Sequence, residues 1–433
     1  MGEGRTGPPA EPAAVATTTT ITSTDDGTTR AGGSPGPALP PVAAVAATRP
    51  PGRRLPHLVP LDGLRGIAIA LVVGVHSGNA LWPEARYWLA AGGPLGVDLF
   101  FVLSGFLITA LLLGEAGRRG RIDLPAFAAR RVRRLVPAVV GLVGVLVVLA
   151  VAGDRLVLRG VLAAATYALT FTTNLFQVHG DAPPVAALFG EATGRGDVSE
   201  VNHLWSVGIE AQFYLGWALV LWAVTRARWS YGRIALLTVA LIVAVAAWRA
   251  YRTAEGEQLL WLYLAPSTRM DAPLVGSLVG VAWSAGWLDR VRPADALRVG
   301  SVALAAFVTC AWVVRVESRP LYSHGLYTVL ALVAALALVG AVRAAPGSPL
   351  PRLLSWSPLV FLGTVSYSVY VWHYGIFAAV ERHGAAWSGP ARLAVAWAVS
   401  LAVAVASHRC LERPFLRRSR QRRDGGRPGE VSA

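Results

Sequence analysis

Long apolar runs alternate with short polar loops along most of this 433-residue chain. Eleven apolar segments can be marked, each about the length that an α-helix needs to cross a bilayer. The strict alternation of a membrane β-barrel is absent. The pattern therefore predicts an all-α, polytopic membrane helix bundle. The segments are 61–82, 94–113, 135–152, 158–178, 204–224, 232–248, 270–287, 296–314, 325–342, 359–379 and 390–410.

The charges in the loops predict a topology. Basic residues cluster at both ends of the apolar region and in the loop 118–134, and the positive-inside rule assigns such segments to the cytoplasm. Eleven crossings would put the two ends on opposite sides, so one segment must not cross. Segment 158–178 is the weakest, because it contains Arg159, Asn174 and the closely spaced threonines Thr170, Thr172 and Thr173. We predict about ten transmembrane helices plus one re-entrant or interfacial segment, in the plasma membrane with both termini cytoplasmic.

The two ends of the chain differ from the apolar region in composition. Residues 1–55 are of low complexity and nearly lack large apolar side chains, which predicts a disordered cytoplasmic tail. Residues 56–416 are predicted to form one transmembrane domain. Residues 417–433 are predicted to form a basic cytoplasmic tail.

Composition supports a membrane protein and excludes other classes. The chain is 54% hydrophobic and 15% charged, whereas a soluble domain is about a quarter charged. A net charge of +15 is compatible with nucleic-acid binding, but the basic residues lie mainly in short loops, as topology requires. The predicted partner is therefore the lipid bilayer and not nucleic acid. The scattered histidines and two cysteines predict no metal site.

Ionisable side chains within apolar segments are candidates for function, because placing them in a membrane is costly. Arg65 and His76 lie on nearly the same face of the first segment, about 16 Å apart along a helix. Glu210 and His373 reach a similar depth to His76, so these three side chains could meet. Structural alternatives remain: a histidine can hydrogen bond across a helix pair, and Glu210 could pair with an arginine such as Arg269.

Asp98 and Trp205 also have structural alternatives. Asp98 lies at the outer start of the second segment, where a carboxylate can stabilise a helix N-terminus. Trp205 is typical of the aromatic belt at a membrane interface or of packing.

Two short spacings predict contacts. Arg131 and Arg134 are three residues apart and would share one face of a helix. Their planar guanidinium groups suit phosphate, although a topology signal or contact with lipid headgroups also explains such a cluster. Gly276 and Gly280 form a G-x-x-x-G motif, which predicts a close contact between helices.

Six stretches in order resemble the acyltransferase-3 family of integral membrane acyltransferases. They are LDGLRGIAIALVVGVHS, GVDLFFVLSGFLIT, FAARRVRRLVPA, HLWSVGIEAQFYL, SYSVYVWH and LERPF. The resemblance covers about residues 58–416. It implies transfer of an acyl group, often acetyl from acyl-CoA, to a hydroxyl of a carbohydrate, lipid or small molecule. Some members carry a further esterase-like domain where this chain has a basic tail, so a separate extracytoplasmic transferase could be a partner.

The resemblance also implies roles for individual residues. His76 would act as the general base, or would itself carry the acyl group, and Glu210 would orient or charge-balance its imidazole. Arg65, Arg131 and Arg134 would bind the phosphates of acyl-CoA, which is a co-substrate, and no cofactor is expected. The other residues predicted to bind substrate are Asp98, Trp205, Ser206 and His373.

A proton-coupled transporter or flippase of a small molecule or glycolipid is the alternative. Histidine and glutamate at mid-membrane depth suit proton coupling. Transporters of that kind often contain two related halves, and the first and last five segments of this chain show no repeat. A membrane scaffold, the third class, would not need buried ionisable groups.

Overall fold

The computed structural model describes residues 53–85, 92–153, 158–178, 199–314 and 325–416. Within these ranges the chain forms fifteen α-helices and no strand, which confirms the predicted all-α class. The predicted tails, 1–55 and 417–433, lie almost wholly outside the described residues. The helices are α1 (Val59–Ala80), α2 (Leu95–Arg119), α3 (Leu124–Val151), α4 (Leu158–Leu169), α5 (Thr173–Val178), α6 (Trp205–Arg226), α7 (Tyr231–Ala254), α8 (Leu259–Leu264), α9 (Pro266–Arg269), α10 (Asp271–Ser284), α11 (Pro293–Val313), α12 (Leu326–Arg343), α13 (Pro349–Leu354), α14 (Ser357–His383) and α15 (Gly389–Ser407).

Eight helices in the described ranges are long and apolar enough to cross a membrane, namely α1, α2, α3, α6, α7, α11, α12 and α15. Two of the predicted crossings differ from a simple apolar span. The 27 residues of α14 are sufficient in length, but serines, tyrosines and histidines make this helix more polar. The 14 residues of α10 rise only about 21 Å, less than the hydrocarbon core of about 30 Å.

The segment predicted not to cross is broken into two short helices. The 12 residues of α4 rise about 18 Å, and α5 has only six residues. Between them Phe171 adopts φ 57°, a left-handed conformation that interrupts a helix. Neither piece is long enough to cross the hydrocarbon core.

The loop 118–134 is shorter than the sequence predicted. The carboxylate of Asp123 accepts a hydrogen bond from the Ala126 N–H at 3.0 Å and caps α3. Helix α3 then continues past Pro137, which has no N–H to donate to the Arg133 carbonyl. Arg131 and Arg134 therefore lie on the same helix that enters the membrane.

Two basic segments predicted to share one side of the membrane, the approach to α1 and the start of the loop 118–134, contact each other and the turn before α11. The Arg53 guanidinium lies 2.7 Å from the Asp289 carboxylate and lowers the pKa of that carboxyl. Arg343 lies 3.3 Å from the same carboxylate, and Arg118 at the end of α2 donates to the Arg53 carbonyl at 3.4 Å. The approach to α1, the end of α2 and the turn before α11 thus share a side. That this side is cytoplasmic stays a prediction.

Two close helix contacts form the centre of the bundle. Helix α1 packs against α14, where a β-carbon at Gly363 would lie 1.8 Å from the Asp62 carbonyl oxygen. Helix α2 packs against α10, where a β-carbon at Gly276 would lie 1.9 Å from the Val102 carbonyl oxygen. The G-x-x-x-G prediction is confirmed, since Gly280 also meets α2, at Thr109. Only glycine permits such an approach of two backbones.

The outer helices present apolar side chains to the surroundings. In the most apolar stretch of each helix, 78% of the α2 residues are buried against only 22% in α7. Leu236 and Val243 of α7 are 70% and 60% exposed. An apolar surface of this kind suits lipid and not water. The protein is therefore a multi-pass membrane protein with α1, α2, α10 and α14 nearest its centre.

We expect Gly363→Ala to destabilise the bundle by about 1–3 kcal/mol, the usual cost of overpacking. The new methyl group would overlap the Asp62 carbonyl group of α1. Thermal unfolding in detergent micelles measures the effect. Gly375→Ala is the matched control on the same helix, because a β-carbon there meets nothing within 4 Å. Equal stability of the two variants would contradict the close contact.

Candidate active site

A cavity is lined by side chains of α1, α2, α3, α6 and α14. Its wall combines apolar residues of α2, such as Phe100 and Phe101, with many polar side chains. The polar lining consists of Arg65, Ser104, Arg131, Arg134, Ser206, Glu210, Tyr214, Ser366, Tyr367 and Tyr370. We call this space the arginine cavity, because three guanidinium groups line it.

The three arginines reach the arginine cavity from two helices. Arg65 of α1 lies 3.0 Å from the Asp62 carboxylate, and the Arg131 guanidinium lies 4.9 Å from the Tyr214 ring centroid. Arg131 and Arg134 line the cavity together, as expected for residues three apart on a helix. Arg130 points elsewhere, 3.4 Å from Glu115. Three guanidinium groups around one cavity favour an anionic ligand.

Glu210 lines the arginine cavity and does not meet the predicted imidazole. Its Oε1 accepts hydrogen bonds from the Ser104 hydroxyl and the Tyr214 hydroxyl. Within the described part of the chain no hydrogen bond joins Glu210 to His76 or His373. Of the three side chains expected to meet, the structure brings together only the two histidines.

His76 and His373 form a hydrogen-bonded pair between α1 and α14. The His76 Nδ1 and His373 Nε2 atoms are 2.8 Å apart, and the two rings stack with centroids 5.1 Å apart. His373 Nδ1 lies 2.8 Å from the Tyr370 carbonyl oxygen and 3.1 Å from that of Val369.

These contacts determine the tautomers of the neutral pair. A carbonyl oxygen only accepts, so His373 Nδ1 carries a proton and its Nε2 has a lone pair. His76 must then donate from Nδ1, which leaves its Nε2 free of a proton. The His76 imidazole can therefore accept a proton at Nε2, and its hydrogen bond to His373 orients the ring.

A third histidine, His203, joins the pair. Its ring centroid lies 5.3 Å from that of His373, and the ring stacks on Tyr374 at 5.1 Å. We call His76, His203, His373, Tyr370 and Tyr374 the histidine cluster. Sequence reasoning missed His203, Ser104 and Tyr370. The spacing of 203, 206, 210 and 214 follows one face of a helix and is the signal that would have found His203 beside Ser206 and Glu210.

Tyr370 and Ser206 stand between the arginine cavity and the histidine cluster. The Tyr370 hydroxyl donates to the His203 carbonyl oxygen, so it must accept from the Ser206 hydroxyl at 2.6 Å. Both side chains line the arginine cavity, and the Tyr370 ring lies 5.8 Å from His373. A ligand that extends from the arginines to the histidines would therefore pass this hydrogen-bonded pair.

Asp98 and Trp205, two of the predicted substrate-binding residues, lie outside the arginine cavity. The Asp98 carboxylate lies 2.8 Å from the Arg269 guanidinium, and both side chains are almost fully buried. Helix α2 turns Val97 and Ser104 toward the cavity and Asp98 toward Arg269. The alternative that Arg269 pairs with Glu210 is wrong. Trp205 packs against Tyr263, with ring centroids 4.6 Å apart.

Among the described residues, no group of three or more His, Cys, Asp or Glu side chains is arranged to hold a metal ion. The expectation of no metal and no cofactor stays a prediction.

Comparison with known proteins identifies the family. Residues 59–409 match the acyltransferase domain model of the acyltransferase-3 family. The chain is 32% identical over 318 residues to a Bacillus subtilis protein named "Putative peptidoglycan O-acetyltransferase YrhL", covering 73% of this chain and 48% of that protein. It is 29% identical over 345 residues to O-acetyltransferase OatA of Staphylococcus aureus, covering 76% and 52%. It is 30% identical over 326 residues to peptidoglycan O-acetyltransferase OatA of Listeria monocytogenes, covering 73% and 49%.

This chain belongs to the acyltransferase-3 family, and the resemblance seen in its motifs is confirmed. It spans about half the length of the curated relatives it matches. No solved structure matches.

We expect Asp98→Ala to destabilise the protein by about 3–5 kcal/mol, because it leaves the buried Arg269 without its carboxylate. Chemical denaturation in micelles measures the loss. Asp289→Ala removes a carboxylate that is half exposed and should cost at most about 1 kcal/mol. The double variant Asp98→Ala/Arg269→Met should recover much of the loss. An unchanged stability in Asp98→Ala would contradict a structural role for this ion pair.

Proposed function

We propose that this protein is an integral membrane O-acyltransferase that moves an acyl group from acyl-CoA to a hydroxyl of a cell-envelope carbohydrate. Acetyl is the acyl group to test first. One observation carries the proposal: a cavity with three guanidinium groups is connected, through Tyr370 of its wall and His373, to the His76 imidazole, whose Nε2 can accept a proton. Membership of the acyltransferase-3 family supports acyl transfer, and the names of the Bacillus subtilis and Listeria monocytogenes relatives support peptidoglycan as the first acceptor to test.

The arginine cavity is the proposed donor site. Coenzyme A carries several phosphate groups, and guanidinium groups bind phosphate through paired, charge-assisted hydrogen bonds. Arg65, Arg131 and Arg134 lie toward the side of the membrane shared by the basic segments, which the positive-inside rule assigns to the cytoplasm. Glu210 belongs to this site, where its carboxylate offsets part of the positive charge and holds Ser104 and Tyr214.

The proposed reaction uses His76 as the base. The acceptor hydroxyl attacks the thioester carbonyl carbon while His76 Nε2 removes the hydroxyl proton. The carbon–sulfur bond then breaks, the coenzyme A thiolate takes the proton from His76, and the new ester remains on the acceptor. His373 keeps accepting the hydrogen bond from His76 Nδ1 throughout, so the imidazole holds its orientation, as the carboxylate does for the histidine of a catalytic triad.

The two substrates would approach from opposite sides. The thioester extends from the arginine cavity past Tyr370 and Ser206 toward His76. The carbohydrate reaches the histidine cluster from the other face of the membrane. We propose that the protein lies in the plasma membrane with both termini in the cytoplasm. A separate extracytoplasmic transferase is an alternative recipient of the acyl group.

The first test is release of coenzyme A thiol from radiolabelled acetyl-CoA by the protein in nanodiscs with peptidoglycan fragments. His76→Ala should lower turnover by about 10²–10⁴-fold, the usual contribution of a general base, and should still bind CoA. Arg134→Ala should weaken CoA binding at least about tenfold, because it removes charge-assisted hydrogen bonds. Arg133→Ala is the matched control, since Arg133 has the same charge on the same helix but does not line the cavity.

Each result of this test has a definite meaning. Equal CoA affinity in Arg133→Ala and Arg134→Ala would show that acyl-CoA does not bind in the arginine cavity. Full turnover in His76→Ala would exclude His76 as the base. A folded wild-type protein that neither binds acetyl-CoA nor turns it over across a panel of acceptors would contradict the acyltransferase and favour transport.

The tautomer argument predicts a separate effect at His373. Removing the ring nitrogens in His373→Phe should lower kcat at least about tenfold while CoA affinity is unchanged, because His76 loses the group that fixes its Nδ1 proton. His373→Gln retains a hydrogen-bond acceptor and should restore part of kcat. Steady-state kinetics beside CoA binding measures both quantities. A kcat that is the same in the Phe and Gln variants would contradict the role of His373 as a positioning residue.

A further inference from the structure

His203 is a buried histidine whose two ring nitrogens are used unequally. Its side chain lies in the histidine cluster, and the residue is 3% exposed. Nε2 lies 3.2 Å from the Val371 carbonyl oxygen, so Nε2 carries the proton and donates it. In the neutral ring Nδ1 is then an acceptor with a lone pair.

The Nδ1 lone pair has no protein donor. Nδ1 is buried and makes no hydrogen bond to any described residue. Buried polar atoms in folded proteins almost always have a partner, and an exception calls for an explanation. The ring cannot easily turn to find one, because it is held by Val371 on one side and stacks on Tyr374 on another. The ring therefore presents a fixed acceptor that lacks a donor.

The surroundings of His203 indicate which substrate supplies that donor. His76 and His203 both contact the rings of His373 and Tyr374, so a molecule at one histidine lies close to the other. The reacting end of acyl-CoA offers a thioester oxygen and sulfur, neither of which donates a hydrogen bond. A carbohydrate offers several neighbouring hydroxyl groups, each of which can donate.

We propose that His203 is an acceptor-binding residue whose Nδ1 accepts a hydrogen bond from a hydroxyl of the carbohydrate. The inference rests on the proposed function and adds a residue to its acceptor side. The hydroxyl bound by His203 keeps its proton, and another hydroxyl of the acceptor loses its proton to His76. His203 thus selects acceptors in which one hydroxyl group can reach His203 while another reaches His76.

Two substitutions separate the two nitrogens of His203. Asn places its carbonyl oxygen where Nδ1 was, so His203→Asn keeps the acceptor and loses the donor to Val371. Gln places its amide N–H where Nε2 was, so His203→Gln keeps that donor and loses the acceptor. Both variants remove the ring and its stacking, so a purely structural role would affect them alike.

The experiment measures acetyl transfer in nanodiscs with the peptidoglycan fragment that wild type uses best. We expect KM for the acceptor to rise about three- to tenfold in His203→Gln, the worth of one neutral hydrogen bond, and to stay near the wild-type value in His203→Asn. CoA affinity should be unchanged in both variants. Thermal unfolding of each variant shows that it is folded.

The outcomes distinguish this inference from the proposed function. If wild type transfers acetyl but both variants have the same acceptor KM, the inference is overturned and the proposed function stands. If the variants lose CoA affinity instead, His203 belongs to the donor side and the inference is also overturned. If wild type transfers no acyl group, the proposed function fails and the inference fails with it. A direct readout uses ¹⁵N-labelled histidine, whose His203 Nδ1 resonance should shift on adding the acceptor and not on adding CoA.

Discussion

The backbone contact between α1 and α14 is the constraint on which the site depends. His76 and His373 are 297 positions apart in sequence and can share a hydrogen bond only if their helices lie unusually close. Gly363 against the Asp62 carbonyl creates that closeness, since any larger residue would separate the two backbones. The tautomer of His76, and with it the proposed base, follows from a packing contact about four helical turns away along α1 and about three along α14.

The ionisable groups within the bundle fall into two kinds. Some are closed off in ion pairs, such as Asp98 with Arg269, and Asp271 with Arg249. Arg249 is fully buried and also donates to the Thr268 carbonyl and the Thr328 hydroxyl. Such pairs compensate the cost of burying charge, and they join α2 to α9 and α7 to α10. Others, among them Arg131 and Glu210, line a cavity where a ligand can reach them. Whether a charged side chain is closed off in an ion pair or lines a cavity distinguishes structural from candidate functional charges more clearly than its depth in the membrane.

The proposed site has two parts that differ in chemistry. The arginine cavity suits an anionic donor, and the histidine cluster suits proton transfer to and from a neutral hydroxyl. Tyr370 contacts both and is held by the Ser206 hydroxyl and the His203 carbonyl. A donor that keeps its phosphates with the arginines while its thioester reaches His76 would meet the requirement that reacting groups be held in place before reaction.

The sequence by itself determined the class, most of the spans and the face of each helix. Apolar length predicts a crossing, and helical period predicts that Arg131 and Arg134 point the same way. The G-x-x-x-G motif predicted a close contact without naming α2 as its partner. The tertiary structure alone decided that His76 meets His373, that Glu210 meets Ser104 and Tyr214, and that Arg269 belongs to Asp98. The physical reason is that periodicity fixes which side of a helix a residue occupies, whereas packing between helices distant in sequence decides what that side faces.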